Sequence, residues 1–439
     1  MDADPLPFAV PPASRRGSGA HTFAALRHRD FRLFWAGLLL SLTGGWMQQV
    51  AGPWLVYRLT DSALMLGLVG FLAAVPAAPL SLIAGPLVDR LPRRPLLIAT
   101  QVALMLPPIA LAWLAWTGKI EVWHIVVAEL LRGAAATIDQ PAKQVAIVEM
   151  TGREDVSSAI ALWTAAINVA RIVGPLLAGL LVAASGEALC FLLNGLSYLA
   201  VVGALLLIRL PAPAPAARRL SLAGSAVDGW KYLAKERLLV VVASLGLAAG
   251  VFVRPFQTLL PVLARDVLLA GATGLGFLTA AAGAGSLLGA LGAASLRLHR
   301  QQPWMLFASL ALPVAVAGFC FSRSLLLACL MLVVVGGLLT MVETLSNALV
   351  LAGARDEYRG RVMGLYMAAG MGAPKVGGLQ AGWLATLLGA PLALGVGAAA
   401  ALAYSVAAVG LIRANKLGRQ PWLPPGQEPR GAGVRLDGG

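Results

Sequence analysis

The chain has 439 residues, 59% of them hydrophobic and only 12% charged, with a formal net charge of +14. Soluble domains are about one quarter charged, so this composition excludes a water-soluble core of that length. The excess positive charge could suit nucleic acid, but it is confined to short segments between long apolar stretches, a bias that membrane insertion alone produces.

Twelve stretches approach or exceed the length needed to cross about 30 Å of hydrocarbon. They run over 32–57, 64–85, 95–117, 122–147, 157–184, 187–209, 238–263, 272–295, 303–322, 325–350, 361–388 and 391–412. Strands of a membrane barrel would be about 10 residues long and alternate in polarity. The spans therefore predict helices, and the chain an all-α membrane protein.

In chain order, residues 1–27 form a polar tail in which residues 1–25 read as disordered, with no cleavable signal ahead of the first span. That span holds Gln48 and Gln49. Between the second and third spans lies Gly85-Pro-Leu-Val-Asp89-Arg90-Leu-Pro-Arg93-Arg94, a short basic corner. The fourth span carries Glu129 and Arg132 at i,i+3, and Asp139 and Lys143 at i,i+4, with Gln140 beside them. Each charged pair shares a helix face. The fifth carries Arg171 and Gly174-Pro175-x-x-x-Gly179. Residues 28–209 thus make a first six-helix unit.

A central loop, 210–237, opens with Pro211, Pro213 and Pro215. Its second part, Ser225 to Arg237, predicts a short amphipathic helix through Val227, Trp230 and Leu233, lying on the membrane surface. A second six-helix unit follows over 238–412. It brings Arg254, a glycine series at 274, 276, 283, 285, 289 and 292, Glu343 with Asn347, the string Arg359-Gly-Arg361-Val-Met-Gly364-Leu-Tyr366, and Lys375. Residues 413–439 form the last tail, reading as disordered over 420–439.

Arginines and lysines crowd every second loop and both tails, while the opposite loops hold only Arg58, Lys119, Arg265 and Arg323. The positive-inside rule then predicts both termini in the cytoplasm. The halves also repeat. At an offset of 203, Ala170, Gly174, Gly179 and Gly186 meet Ala373, Gly377, Gly382 and Gly389, and Gly133 meets Gly336. At 206, Gly70-Phe71 meets Gly276-Phe277. Duplicated units of parallel orientation suit two bundles rocking about a central site.

With Phe31-Arg-Leu-Phe-Trp35, the Gly85–Arg94 loop, Gly174-Pro175 and the 359–366 string, the chain resembles the major facilitator superfamily over roughly residues 28–412. It is similar to the bacterial branch that includes the enterobactin exporter and macrolide efflux pumps. The resemblance implies twelve transmembrane helices in two pseudo-symmetric six-helix bundles. It implies a gate in which Gly85 packs near Gly364, while Asp89 meets Arg359, Arg361 and the dipole at the N-terminus of helix 11. Arg90, Arg93 and Arg94 belong to the same gating loop by this resemblance, while on the plainer reading they only set topology. Gly174, Pro175 and Gly179 resemble the antiporter motif and imply a tight seam against the glycines of helix 8, with export as the direction. Several relatives carry an acid near Gly45, where this chain has none.

Charges inside a membrane span are costly enough to mark function. Glu129, Arg132, Asp139, Arg171, Arg254, Glu343 and Lys375, with Gln48, Gln49, Gln140 and Asn347, predict the lining of one central cavity. In the repeat Glu343 meets Gln140 and Asn347 meets Gln144. Four bases against three acids favour an anionic or zwitterionic substrate. A nearby cation lowers a carboxyl pKa and burial raises it, so Asp139 and Glu343, then Glu129, are candidate proton carriers.

The expected activity is proton-coupled export of a small molecule, siderophore-like, anionic, amphiphilic or a drug. The bacterial inner membrane is the expected location, the proton gradient the energy source, and no cofactor or metal is implied. Alternatives of the same fold are a lipid or lysolipid flippase and a non-coupled sensor or facilitator. A monomer with no nucleic-acid partner is expected. Four histidines at span ends or in tails, three cysteines inside apolar spans, and no P-loop or nucleophile elbow argue against an enzyme.

Overall fold

The structure, a computed structural model, describes residues 23–208 and 230–414. Most of both tails and of the central loop lies outside the described residues. The described residues are almost entirely helical, with no strand among them.

Twelve spans follow the predicted order. α1 is Arg29–Thr60, α2 comes in two pieces (Ala63–Leu72 and Ala77–Arg90), and α3 is Arg93–Trp116. α4 (122–151) and α5 (Glu154–Ser185) follow, then α6 (Glu187–Leu207) and α7 (Arg237–Val267). The last five are α8 (Gly271–Ser295), α9 (Leu298–Cys320), α10 (Leu325–Gly353), α11 (Asp356–Leu388) and α12 (Ala390–Ala414). Eight of them are long and apolar enough to cross a bilayer on those grounds alone. Of the other four, α2 is broken into two short pieces, and α1, α4 and α11 are diluted by polar and small residues.

Three local departures from regular helix shape the molecule. α2 is not continuous: Pro76 lacks an N–H, and residues 73–76 tighten into a turn with Ala74 N–H on Phe71 O at 3.0 Å. α4 passes into α5 at Gly152, whose φ of 68° and ψ of 177° lie in a region almost only glycine occupies. α7 contains two π-helical turns, Ala249–Val253 and Leu263–Val267. The first ends with Arg254 N–H on Ala249 O at 2.9 Å, just ahead of Pro255. Such bulges rotate the following side chains out of helical register, and the first precedes Arg254 directly.

The duplication read in the sequence recurs in packing. Gly174 faces α1, where a methyl group would stand 2.8 Å from Thr43 O, and its counterpart Gly377 faces α7 at Val251 O. Gly133 abuts α2 at Ala73 O, and Gly336 abuts α8 at Ala282 O. Gly186 and Gly389, each with φ of 80°, end α5 and α11 alike.

Among the described residues, the two bundles share an apolar core at one end and have separate cores at the other. One apolar cluster runs across both at the end away from the basic loops, from Val50, Leu55 and Val56 to Phe256, Leu259 and Leu332. At the basic end each bundle has its own: Phe31, Phe34, Leu97 and Ile147 in the first, Val242, Met305, Leu349 and Val362 in the second.

The linker helix predicted at 225–237 is described from residue 230, and 230–235 is helical. Tyr232 stacks on Tyr358 at 4.5 Å, and its hydroxyl accepts from Arg355 N–H at 3.2 Å. Leu233 joins the second bundle's apolar cluster, while Trp230 is exposed.

Candidate functional site

Two chambers open in the interior, one between the bundles and one within the second bundle. The larger, about 500 Å³, is lined by polar side chains of α1 (Gln48, Gln49) and α4 (Glu129, Arg132, Asp139, Gln140, Lys143), together with Asn194 and Tyr198 of α6. Gln257 and Thr258 of α7 and Lys375 of α11 complete it from the second bundle. The smaller, about 180 Å³, lies on the second-bundle side and is lined by Arg254, Glu343, Asn347 and Tyr366. The predicted cavity set is thus divided between two chambers, except Arg171, which lines neither and stacks on Trp46 of the larger chamber's wall.

Charges taken out of water need partners, and most here have them. Glu129 accepts from Arg132 Nε at 2.7 Å and from Gln48 Nε2 at 3.3 Å; Gln48 Oε1 accepts from Asn194 Nδ2 at 2.5 Å. The chain of bonds ties α6 to α1 to α4. Asp139 is 1% exposed and pairs with Lys143 at 2.7 Å, while its other oxygen accepts from Thr100 at 2.9 Å and Gln101 at 2.5 Å. Glu343 has no partner in its own helix. It pairs across helices with Arg254, whose Nε and Nη2 reach Glu343 Oε1 at 3.0 Å and 2.6 Å.

Arg171 and Lys375 differ. Among the described residues neither forms an ion pair within 4 Å. The Arg171 guanidinium stacks over Trp46 at 5.1 Å, and its buried Nε lacks a hydrogen-bond partner.

At the end away from the basic loops, helices of opposite bundles touch. A methyl group at Gly179 would stand 3.0 Å from Gly276 Cα, and one at Gly382 2.6 Å from Ala63 O, so α5–α8 and α11–α2 close as equivalent seams. Of the α8 glycines, Gly276 and Gly283 face α5, whereas Gly285 and Gly289 face α10. Polar contacts seal the same end. Tyr57 donates to Asp266, Arg265 pairs with Asp61, and the Arg265 guanidinium lies over the Tyr57 ring at 4.8 Å.

At the basic end, α11 stands clear. Met367 is 54% and Met371 73% exposed, and a methyl at Gly364 would meet nothing within 4 Å. Arg359 pairs with Asp356 in its own helix at 2.7 Å and Arg361 lies over Tyr358 at 5.6 Å. Arg93 pairs with Glu149 of α4 at 2.8 Å, Arg94 donates to Leu206 O at 2.6 Å, and Arg90 is exposed. The side chain of Asp89 and the surroundings of Gly85, on which the gate rests, lie outside the described residues.

Sequence reading missed the uncharged members of the network: Thr100, Gln101, Asn194 and Tyr198. The available signal was an amide inside an apolar span, as at Gln101 and Asn194, which needs a partner as a charge does. It also missed the Tyr57–Asp61–Arg265–Asp266 group, whose members sit at span ends where charges are common.

Two pseudo-symmetric six-helix bundles around a polar interior define a membrane transporter of the major facilitator class. The chain belongs to the transmembrane secretion effector family, whose model matches residues 20–421. It is 27% identical over 244 residues to the staphyloferrin A transporter of Staphylococcus aureus, covering 54% of this chain and 59% of that one. It is 27% identical to the multidrug efflux pump Tap of Mycolicibacterium fortuitum, over 80% of this chain and 88% of the pump. It is 25% identical to the enterobactin exporter EntS of Shigella boydii, over 82% of this chain and 86% of that one. Among solved structures, the nucleoside transporter NupG has the same fold, with a TM-score of 0.74, 11% identity, and 88% of this chain and 99% of that one covered. A bacterial homologue of the lysosomal transporter Spinster gives 0.66 at 12%, covering 94% and 100%.

Proposed function

We propose that this chain exports a small molecule across a bacterial inner membrane by alternating access, driven by the proton gradient. The observation that carries the reading is the asymmetry of the bundle contacts. One end is closed by two glycine seams, a shared apolar cluster and the Tyr57–Asp266 and Asp61–Arg265 contacts. The other end, bearing the basic loops, has separate clusters and an exposed α11. The positive-inside rule assigns basic loops to the cytoplasm. On that assignment the chambers face the side from which an exporter loads. The named relatives transport siderophores and drugs, which supports a cargo of that kind.

Glu343 is the carboxylate best suited to carry the proton. It lines the second chamber, its side chain is 32% exposed, and its single cationic partner belongs to another helix. Protonation there would release Arg254, so a change of contact between α7 and α10 and a change of charge become one event. Asp139 is nearly sealed from solvent by three donors, and Glu129 is held within α4 by Arg132. Asp89 and the Arg90, Arg93 and Arg94 corner would restrain the basic end in the alternate state.

Everted membrane vesicles containing the full chain test this reading, with an imposed pH gradient and a panel of staphyloferrin A, enterobactin and efflux-pump drugs. Gradient-dependent accumulation of a panel compound is expected. Glu343→Gln, and more completely Glu343→Gln with Asp139→Asn, is expected to leave flux that no longer follows pH. Flux indifferent to the gradient, or scrambling of a labelled lysolipid with every panel compound ignored, would overturn it.

A further inference from the structure

Four cations and three carboxylates line the two chambers, and a fifth cation, Arg171, stacks on Trp46 of the larger chamber's wall. The sequence inventory of four bases omitted Lys143, which also lines the larger chamber. Three pairs are neutral: Glu129–Arg132, Asp139–Lys143 and Glu343–Arg254. What is left is Arg171 on α5 of the first bundle and Lys375 on α11 of the second. The 203-residue offset sets Arg171 against Pro374, so the two cations occupy neighbouring positions on pseudo-equivalent helices.

Both are held where a lone cation is costly. Arg171 is largely withdrawn from solvent, has a buried nitrogen without a hydrogen-bond partner, and leans on Trp46, itself part of the larger chamber's wall. Lys375 lines that chamber and feels the charges of Arg132 and Arg254 as well as that of Glu129. Arg171 feels Arg254 and Glu343 from the other chamber. Of these two unpaired cations from opposite bundles, Lys375 lines the larger chamber and Arg171 lies against its Trp46 wall, and the carboxylates whose charge reaches them, Glu129 and Glu343, are already bonded elsewhere.

We propose that Arg171 and Lys375 are the two jaws of a site for a dianion, a small molecule carrying two separated acidic groups of the polycarboxylate kind. This deepens the exporter reading and rests on it. One acidic group meets the Arg171 guanidinium, whose planar fork suits bidentate pairing with a carboxylate. The other meets the Lys375 ammonium. Because each jaw belongs to a different bundle, a cargo that pairs with both links the two bundles, and so favours their approach. A monoanion satisfies one jaw only, and a neutral or cationic compound neither.

The test uses the full chain in nanodiscs at fixed ionic strength. The probes are tricarballylate and glutarate, against butyrate as monoanion and glutaramide as neutral analogue. Binding is read by titration calorimetry and by the shift of thermal unfolding. Saturable binding of the two polycarboxylates is expected, with butyrate at least tenfold weaker and glutaramide silent. Arg171→Gln and Lys375→Gln should each weaken glutarate at least tenfold and bring its affinity near that of butyrate. Arg171→Lys should retain more affinity than Arg171→Gln, and Arg323→Gln, an exposed loop change, should match the parent. If Arg171→Gln does not fold, Lys375→Gln and Arg171→Lys carry the comparison. Equal binding of glutarate and glutaramide, undiminished binding in both jaw variants, or no saturable polycarboxylate binding would overturn the proposal. Gradient-driven efflux of a panel compound by both jaw variants would reject the dianion while leaving the exporter standing. Absence of any gradient-driven flux by the parent would reject the exporter itself.

Discussion

Gly276→Val separates a seam that merely packs from one that sets conformation. At Gly276 a Cβ would lie 2.6 Å from Pro175 O and 2.9 Å from Gly179 Cα. Both obstacles are backbone, so no rotamer change relieves them, and α5 and α8 must part. Overpacking of this kind costs about 1–3 kcal/mol. If the two ends open in turn, only the conformation closed at this end bears that cost. The equilibrium should then move by roughly 5- to 150-fold toward the state open here. The assay is a pulsed spin-label distance between cysteines placed at Lys119 and Arg323, exposed on opposite bundles at this end, with Cys190, Cys320 and Cys329 replaced. A longer-distance population should appear or grow. Gly203→Val, where a methyl meets nothing within 4 Å, should leave the distribution alone. A folded Gly276→Val protein with the parent's distance distribution would refute the reasoning.

Lys143→Met leaves Asp139 charged at 1% exposure, and breaking such a pair costs about 3–5 kcal/mol. Its thermal midpoint should fall steeply, and adding Asp139→Asn should restore much of the loss; a midpoint unchanged by Lys143→Met would contradict the pairing. Arg265→Gln removes a pair whose side chains are 37% and 68% exposed, so about 1 kcal/mol or less is expected. The same spin-label distances should shift slightly and only at low salt, and a large or salt-independent shift would argue against a screened surface contact. Asp89→Asn should slow vesicle transport severalfold with membrane levels retained, and parental rates would remove that residue from the gate.

Solvent and topology were legible in the sequence, because a bilayer imposes length and polarity on every span separately. Each of twelve segments had to satisfy about 30 Å of hydrocarbon by itself. The repeat was equally readable, since Gly133, Gly174, Gly179 and Gly186 and their partners 203 residues on each mark a close approach or a positive φ. The charged residues of the interior could be enumerated for the same reason, as exceptions inside apolar text.

Their pairing could not be read off one helix at a time. Glu129–Arg132 and Asp139–Lys143 were visible because i,i+3 and i,i+4 spacing places them on one face. Glu343–Arg254 needed α7 and α10 side by side, with a π turn directly before Arg254. The break in α2 at Pro76 and the solitude of Arg171 and Lys375 likewise emerge only from packing. Burial is a property of neighbours, and neighbours from two bundles are set by how twelve helices assemble. The sequence by itself determined what had to be in the membrane and which charges it would have to house; only the tertiary structure decided which of them neutralise one another and which two are left without an ion-pair partner.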